Sequence, residues 1–234
     1  MTEYPKVLVG CPTCDLYDFC LEEYVTTVKS FDYPNFEVWF VDNSKDNKFF
    51  EKLKGMGLNV VKDKWQESIR DRIVSSRNIL RQKVLDGKFD FFFSLEQDVM
   101  PATKDVIQRL LRHGKKVVSG LYFKPWPNKN GTVQLYAVMW NWVDPKYKEI
   151  YSEKVADIPK DMVERRDKLF AIKTAGLGCL LIHKDVLKNI KFRYDKEFSS
   201  FDNIHFSRDV RESRETIFAD PTAVCHHRFN KPQN

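Results

Sequence analysis

Phe89-Asp90-Phe91-Phe92-Phe93-Ser94-Leu95-Glu96-Gln97-Asp98-Val99-Met100-Pro101 is the stretch that decides the fold. Its first seven residues hold four phenylalanines and a leucine. A strand that apolar has no solvated face, so it belongs inside a sheet covered on both sides. It ends in two acids one residue apart. Side chains two apart on an extended chain point the same way, so Glu96 and Asp98 can grip one hard cation through oxygen ligands. Acids also sit at strand ends merely because water is there, and the pair alone does not choose between these readings.

Outward from this strand, apolar and β-branched runs alternate with helical patterns. Strands are expected at 6–10, 36–41, 58–61 and 116–122. One helix is expected from Asp15 to Ser30, with Asp15 as N-cap and Leu16, Phe19, Cys20, Val25 and Val28 inward. A second runs from Glu67 to Leu85, with Ile69, Ile73, Leu80 and Val84 on one face and a stop at Asp86-Gly87. A third runs from Thr103 to His113. The alternation predicts an α/β fold: a mostly parallel, Rossmann-like sheet with helices on both faces. Ligands of such sheets gather at the carboxyl ends of the strands. Those ends carry Cys11-Pro12-Thr13, Asp42-Asn43-Ser44 and Glu96-Gln97-Asp98.

Past Tyr122 the pattern changes. Asn130-Gly131 signals a tight turn, and Thr132 to Trp142 is rich in strand formers, so a smaller antiparallel hairpin is expected. Asp144 to Lys168 is charged and broken by prolines, which suits a loop. Strand character returns from Lys173 to Ile182, through Gly176-Leu177-Gly178, and again at 215–219 and 222–225. No repeat or linker divides the 234 residues, so one domain is expected. The change of pattern marks two halves within it, about 1–122 and 123–234.

Charged residues at 31% and hydrophobic residues at 42% are a globular balance. The net charge of +6 suits a polyanionic ligand and is also an ordinary solubility charge. Lys and Arg are spread along the chain, which argues against a nucleic-acid partner. The apolar runs are too short to span a bilayer, so a cytoplasmic protein with at most peripheral membrane contact is expected. Five scattered cysteines suit a reducing compartment. Cys11-Pro12-Thr13-Cys14 has no second pair to complete a zinc site and lacks the surroundings of a redox motif.

Several of these motifs, in this order, resemble the GT-A-fold nucleotide-sugar glycosyltransferases, of the family 2 type. The Phe89–Pro101 stretch looks like their DxD strand, with Glu96 in place of the first Asp. Val38-Trp39-Phe40-Val41-Asp42-Asn43-Ser44 resembles their second strand. Ser76-Arg77-Asn78 followed by Leu80 is similar to the helix leading into the DxD strand. Ala175-Gly176-Leu177-Gly178-Cys179-Leu180-Leu181-Ile182-His183 resembles the Gly-rich strand beside the donor sugar. The likeness runs from about Val7 to His227.

The resemblance implies an enzyme that moves a sugar from a UDP- or GDP-linked donor to a hydroxyl of a glycan, lipid-linked or protein acceptor, with Mn²⁺ or Mg²⁺. It implies Pro12, Thr13 and Asp42 at the nucleoside, and Arg77 and Asn78 near the diphosphate. Glu96, Gln97 and Asp98 would face the metal and the donor, and Gly176 and Gly178 would let backbone approach the sugar. A C-terminal metal ligand is implied at His226 or His227; strand alternation turns only one of them inward, and spacing leans towards His227. The carboxylate that would deprotonate the acceptor is Asp202 in Ser200-Phe201-Asp202-Asn203, although Asn203 stands where a second acid is usual. Asp202 could equally be the N-cap of the following helix. Trp65, Trp126, Tyr136, Trp140 and Trp142 are candidates for stacking on sugar faces, with core packing the ordinary alternative. Two other functions share parts of this pattern. One is a nucleotidyltransferase, although the Gly-rich basic loop it needs is missing after the first strand. The other is a non-catalytic sugar- or nucleotide-binding module.

Overall fold

The computed structural model describes residues 4–127, 131–142, 155–160, 163, 166–196 and 201–229. The Asn130 side of the expected turn, most of the 144–168 stretch and the side chain of Trp142 lie outside the described residues.

The aromatic run is strand β4 (Phe91–Leu95), and it is central. It lies between β1 (Val7–Thr13), to which it is parallel, and β12 (Cys179–His183), to which it is antiparallel. Beyond β1 come β2 (Phe36–Asp42) and β3 (Asn59–Lys62), both parallel. Beyond β12 come β6 (Val117–Leu121), then β13 (Ile217–His227), parallel to β6, and β10 (Phe170–Ile172) at the edge. A short β5 (Val99–Pro101) follows the acidic turn and pairs with the end of β13. Strands late in the chain thus complete the sheet begun by its first part. A separate antiparallel sheet holds β7 (Phe123–Pro127), β8 (Val133–Trp142), β9 (Val155–Pro159) and β11 (Thr174–Ala175).

Alternation along the strands divides the core in two. Val7, Val9, Cys11, Phe93 and Leu95 pack against helices α1 (Leu21–Lys29), α2 (Lys48–Gly55) and α4 (Val106–Leu111). Leu8, Val41, Phe92, Leu180 and Ile182 pack on the other face with α3 (Ile69–Asp86), α5 (Lys184–Asn189) and α6 (Asp202–Glu212). Both faces are covered, as the apolar strand requires.

Three local expectations differ. Asp15 does not cap a helix; Asp15–Cys20 is a 3₁₀ turn, and the α-helix begins at Leu21. With three residues per turn rather than 3.6, the α-helical spacing fails there. Leu16 and Phe19 are therefore exposed, at 70% and 47%. Ile69, read as inward, opens α3 and is also exposed. The two short C-terminal strands are one long strand, with a register shift between Ala219 and Val224. No helix among the described residues is long and apolar enough to cross a membrane.

Candidate active site

The carboxyl ends of β1, β2 and β4 lie side by side, with Pro12 beside Val41 and Thr13 beside Asp42. Between them and the first turns of α3 opens a cleft. Pro12, Thr13, Asn43, Arg77, Glu96, Gln97 and Asp98 line it.

Glu96-Gln97-Asp98 is a turn, closed by the Val99 N–H on the Glu96 carbonyl at 2.9 Å, and its middle residue faces inward. The amide is buried. Its Oε1 accepts from Thr13 Oγ1, and its Nε2 donates to the Tyr17 carbonyl at 2.7 Å. Gln97 is therefore the brace that fixes β1 and the 3₁₀ turn against the acidic turn.

Arg77 lies two turns into α3, buried against β4. Its Nε donates to Asp202 Oδ2 at 2.8 Å, one terminal nitrogen donates to Ser94 Oγ at 3.0 Å, and the other donates to Glu96 Oε1. Burial alone would depress its pKa; the carboxylates of Asp202 and Glu96 outweigh burial and raise it. A planar fork of donors meets three acceptors at once, in a fixed geometry that a flexible lysine ammonium does not preset. Asp202 is the first residue of α6, whose N-cap position is Phe201. The carboxylate is thus held by Arg77 and does not serve as the cap. Glu96 is raised by burial and by Asp98, with Arg77 opposing.

Asp98 Oδ2 lies 3.4 Å from His227 Nε2. His227 Nδ1 lies 3.0 Å from the Phe123 carbonyl. A carbonyl can only accept, so Nδ1 carries a proton and Nε2 is the nitrogen that faces Asp98. Nε2 and the carboxylate can share a proton when the ring is charged or a metal ion when it is neutral. Burial lowers the proton affinity of His227, yet Asp98 more than restores it and the pKa is raised. This donor set fits a divalent metal. Of the two histidines, His226 is exposed and pairs with Met100, whereas His227 pairs with Val99 and turns inward. Among the described residues no ready-made group of three ligands exists, because Glu96 is turned onto Arg77.

Other expected residues fall differently. Asp42 is fully buried, and its carboxylate is taken up by Ser44 on Oδ1 and by Lys62 on Oδ2 at 2.7 Å. Asn43, next along, is the one lining the cleft. Asn78 uses both amide atoms on the Phe192 backbone, at 2.8 and 3.1 Å, and is not part of the cleft lining. Gly176 and Gly178 make room for Tyr122. A Cβ on Gly176 would lie 2.0 Å from the Tyr122 hydroxyl, which also accepts the Gly178 N–H at 3.0 Å. Cys11 and Cys14 are both held up in pKa by burial, the opposite of a reactive thiolate.

Arg72 was missed by sequence reading. It lines the cleft, with its guanidinium 5.7 Å above the ring of Trp65. Helical spacing held the signal, since Ile69, Arg72, Ile73, Ser76 and Arg77 follow the i, i+3, i+4 rule on α3.

A second cavity lies on the other side of Arg77. Asp202, Asn203, Phe201, Trp140, Tyr122 and Gly176 line it, and it shares Ile73, Arg77 and Glu96 with the first. The two cavities meet at the Arg77–Glu96 pair.

At the level of sequence, no protein family and no curated protein matches the chain. Solved structures do match in shape. GalNAc-T7, solved with UDP, GalNAc and Mn²⁺, superposes with a TM-score of 0.71 at 12% identity, over 99% of this chain and 45% of that one. The mannosyltransferase PcManGT from Pyrobaculum calidifontis, in complex with GDP-Man and Mn²⁺, gives 0.61 at 15% identity, over 99% and 59%. A197 from STIV gives 0.51 at 13% identity, over 96% and 86%. The chain spans about half the length of the two glycosyltransferases it matches. Its fold is the GT-A glycosyltransferase fold.

Proposed function

We propose that the protein is a metal-dependent glycosyltransferase that moves a sugar from a UDP- or GDP-linked donor to a hydroxyl acceptor. The observation that carries this reading is the position of Arg77, which joins Glu96 to Asp202 where the two cavities meet. A donor in the cleft and an acceptor in the second cavity would come together at that point. The two similar glycosyltransferases, solved with UDP or GDP-Man and Mn²⁺, support the same donor class.

In this reading Asp98 and His227 hold Mn²⁺ or Mg²⁺, with Glu96 on the same side of the cleft. When bound, the metal neutralises charge on the departing nucleotide diphosphate. Pro12, Thr13 and Asn43 line the nucleoside end, and Arg72 offers a cation to the diphosphate. Asp202 lines the acceptor cavity and would accept the proton of the attacking hydroxyl. As that oxygen bonds the anomeric carbon, the bond to the nucleotide diphosphate breaks on the opposite face, a single displacement with inversion. Arg77 fixes the orientation of that carboxylate.

The test is release of UDP or GDP from a panel of nucleotide-sugars in Mn²⁺, for the native protein and for Asp98→Ala and Asp202→Asn. Native activity lost in both variants supports the reading. Release that is equal in all three proteins, or absent from every donor, sinks it. Product of retained configuration removes Asp202 as base.

A further inference from the structure

The second cavity does not end at Asp202. Its wall is continued by one face of the small sheet. Along β8, Ala137 and Met139 are buried while Tyr136, Val138 and Trp140 alternate with them, half-exposed. The β7–β8 register pairs Lys124 with Tyr136 and Trp126 with Gln134, so these residues share that half-exposed face. The side chains confirm it. The Lys124 ammonium sits 5.1 Å from the ring centre of Trp126 and 5.2 Å from that of Trp140. Trp140 lines the cavity with Asp202; Trp126 stands further out, 55% exposed.

Core packing does not account for an indole in that position. More than half of Trp126 faces solvent, and the lysine beside it is a hydrogen-bond donor on the same face. Sugar rings carry apolar CH faces rimmed by hydroxyls. A flat indole satisfies the first and an ammonium the second. Two indoles bridged by one lysine offer two such places in a row, the inner one in the cavity of Asp202.

We infer that the acceptor is a glycan of at least two sugar units. Its terminal unit lies against Trp140 with a hydroxyl towards Asp202, and the preceding unit stacks on Trp126, with Lys124 hydrogen-bonding between them. Calling this glycan the acceptor rests on the glycosyltransferase reading above. The binding of a glycan chain to this face does not.

The experiment is capture of the protein on immobilised mono-, di- and tetrasaccharides of glucose, mannose and N-acetylglucosamine, for the native chain, Trp126→Ala and Lys124→Ala. Both substituted residues are remote from the reacting atoms and exposed or half-exposed, so the fold should tolerate the change. Thermal shift with UDP, GDP and Mn²⁺ is run beside it to report on the donor cleft. The inference expects longer chains to be held at least about fivefold more tightly than single sugars, with that advantage lost in Trp126→Ala. Donor binding should be unchanged in every variant. No preference for chain length, or a preference that Trp126→Ala leaves intact, overturns the inference while leaving the donor reading untouched. Glycan capture through Trp126 with no nucleotide binding supports this face and sinks the transferase reading instead.

Discussion

Arg77 Nε donates to Asp202 Oδ2 at 2.8 Å, linking α3 to the first residue of α6 across 125 positions of sequence. Both side chains are almost wholly buried, at 3% and 4% exposure. A buried ion pair of this kind adds little net stability when complete but is costly to break from one side. Arg77→Ala would strand Asp202 and take the partner from Glu96, while Ser94 keeps its bond to the Leu177 carbonyl. The expected loss is about 3–5 kcal/mol in urea unfolding. Arg77→Lys should recover only part of it, because one ammonium cannot match the guanidinium fork. A loss under about 1 kcal/mol for Arg77→Ala would mean the pair does not organise the site.

The brace at Gln97 gives a second test. Gln97→Leu keeps the volume but leaves Thr13 Oγ1 and the Tyr17 carbonyl without their partner, at a cost of about 1–3 kcal/mol. The 3₁₀ turn forms one wall of the cleft, so nucleotide affinity should fall more than global stability does. Isothermal titration with UDP and GDP beside urea unfolding separates the two. Equal affinity in the variant would show that the turn does not depend on the brace.

Gly176 and Tyr122 form a steric pair. Gly176→Ala forces the phenol to move, with an expected cost of about 1–3 kcal/mol. Removing the hydroxyl in Tyr122→Phe relieves the closest contact. The double variant should therefore be more stable than the sum of the single effects predicts. Strict additivity in a double-mutant cycle would contradict the assignment.

Acid sensitivity has one identifiable source in Asp220 on β13. Burial pushes its pKa up, but hydrogen bonds from His113 and Thr222 and the charge of Arg112 outweigh burial and hold it below the ordinary 3.8. The folded value is below the unfolded one, so the group stabilises fully above 3.8 and loses that contribution as pH falls through the folded value. Native protein should exceed Asp220→Asn in stability at pH 7, with the gap closing as pH falls below 3.8 and through the folded value. A gap independent of pH would assign it to packing.

Much of the fold was legible in the sequence, because a run such as Phe89–Leu95 can only be a doubly covered strand. The Glu96 and Asp98 pair was visible at the strand's end, but the two acids stand in a turn rather than on an extended strand. Glu96 is turned onto Arg77, while Asp98 meets His227. What escaped depends on contacts between distant segments. Nothing local to Ser76-Arg77-Asn78 says that the arginine is buried between Glu96 and Asp202 while the asparagine holds Phe192. Asp42 is expected at the nucleoside, but Ser44 and Lys62, the latter 20 residues on, take up its carboxylate. Leu16 and Phe19 were misread because α and 3₁₀ spacing diverge within six residues. Strand alternation left His226 and His227 both open, and it is the pairing with β5, far away in sequence, that turns His227 inward.

The central claim is a nucleotide–metal site at Asp98 and His227. Titration calorimetry of UDP and GDP, with Mn²⁺ and with chelator, against native protein, Asp98→Ala and His227→Ala tests it most directly. The account predicts that at least one nucleotide binds only with the metal present, and that each substitution weakens this binding by about 10–100-fold or more. Binding that ignores the metal, or survives both substitutions unchanged, would contradict it.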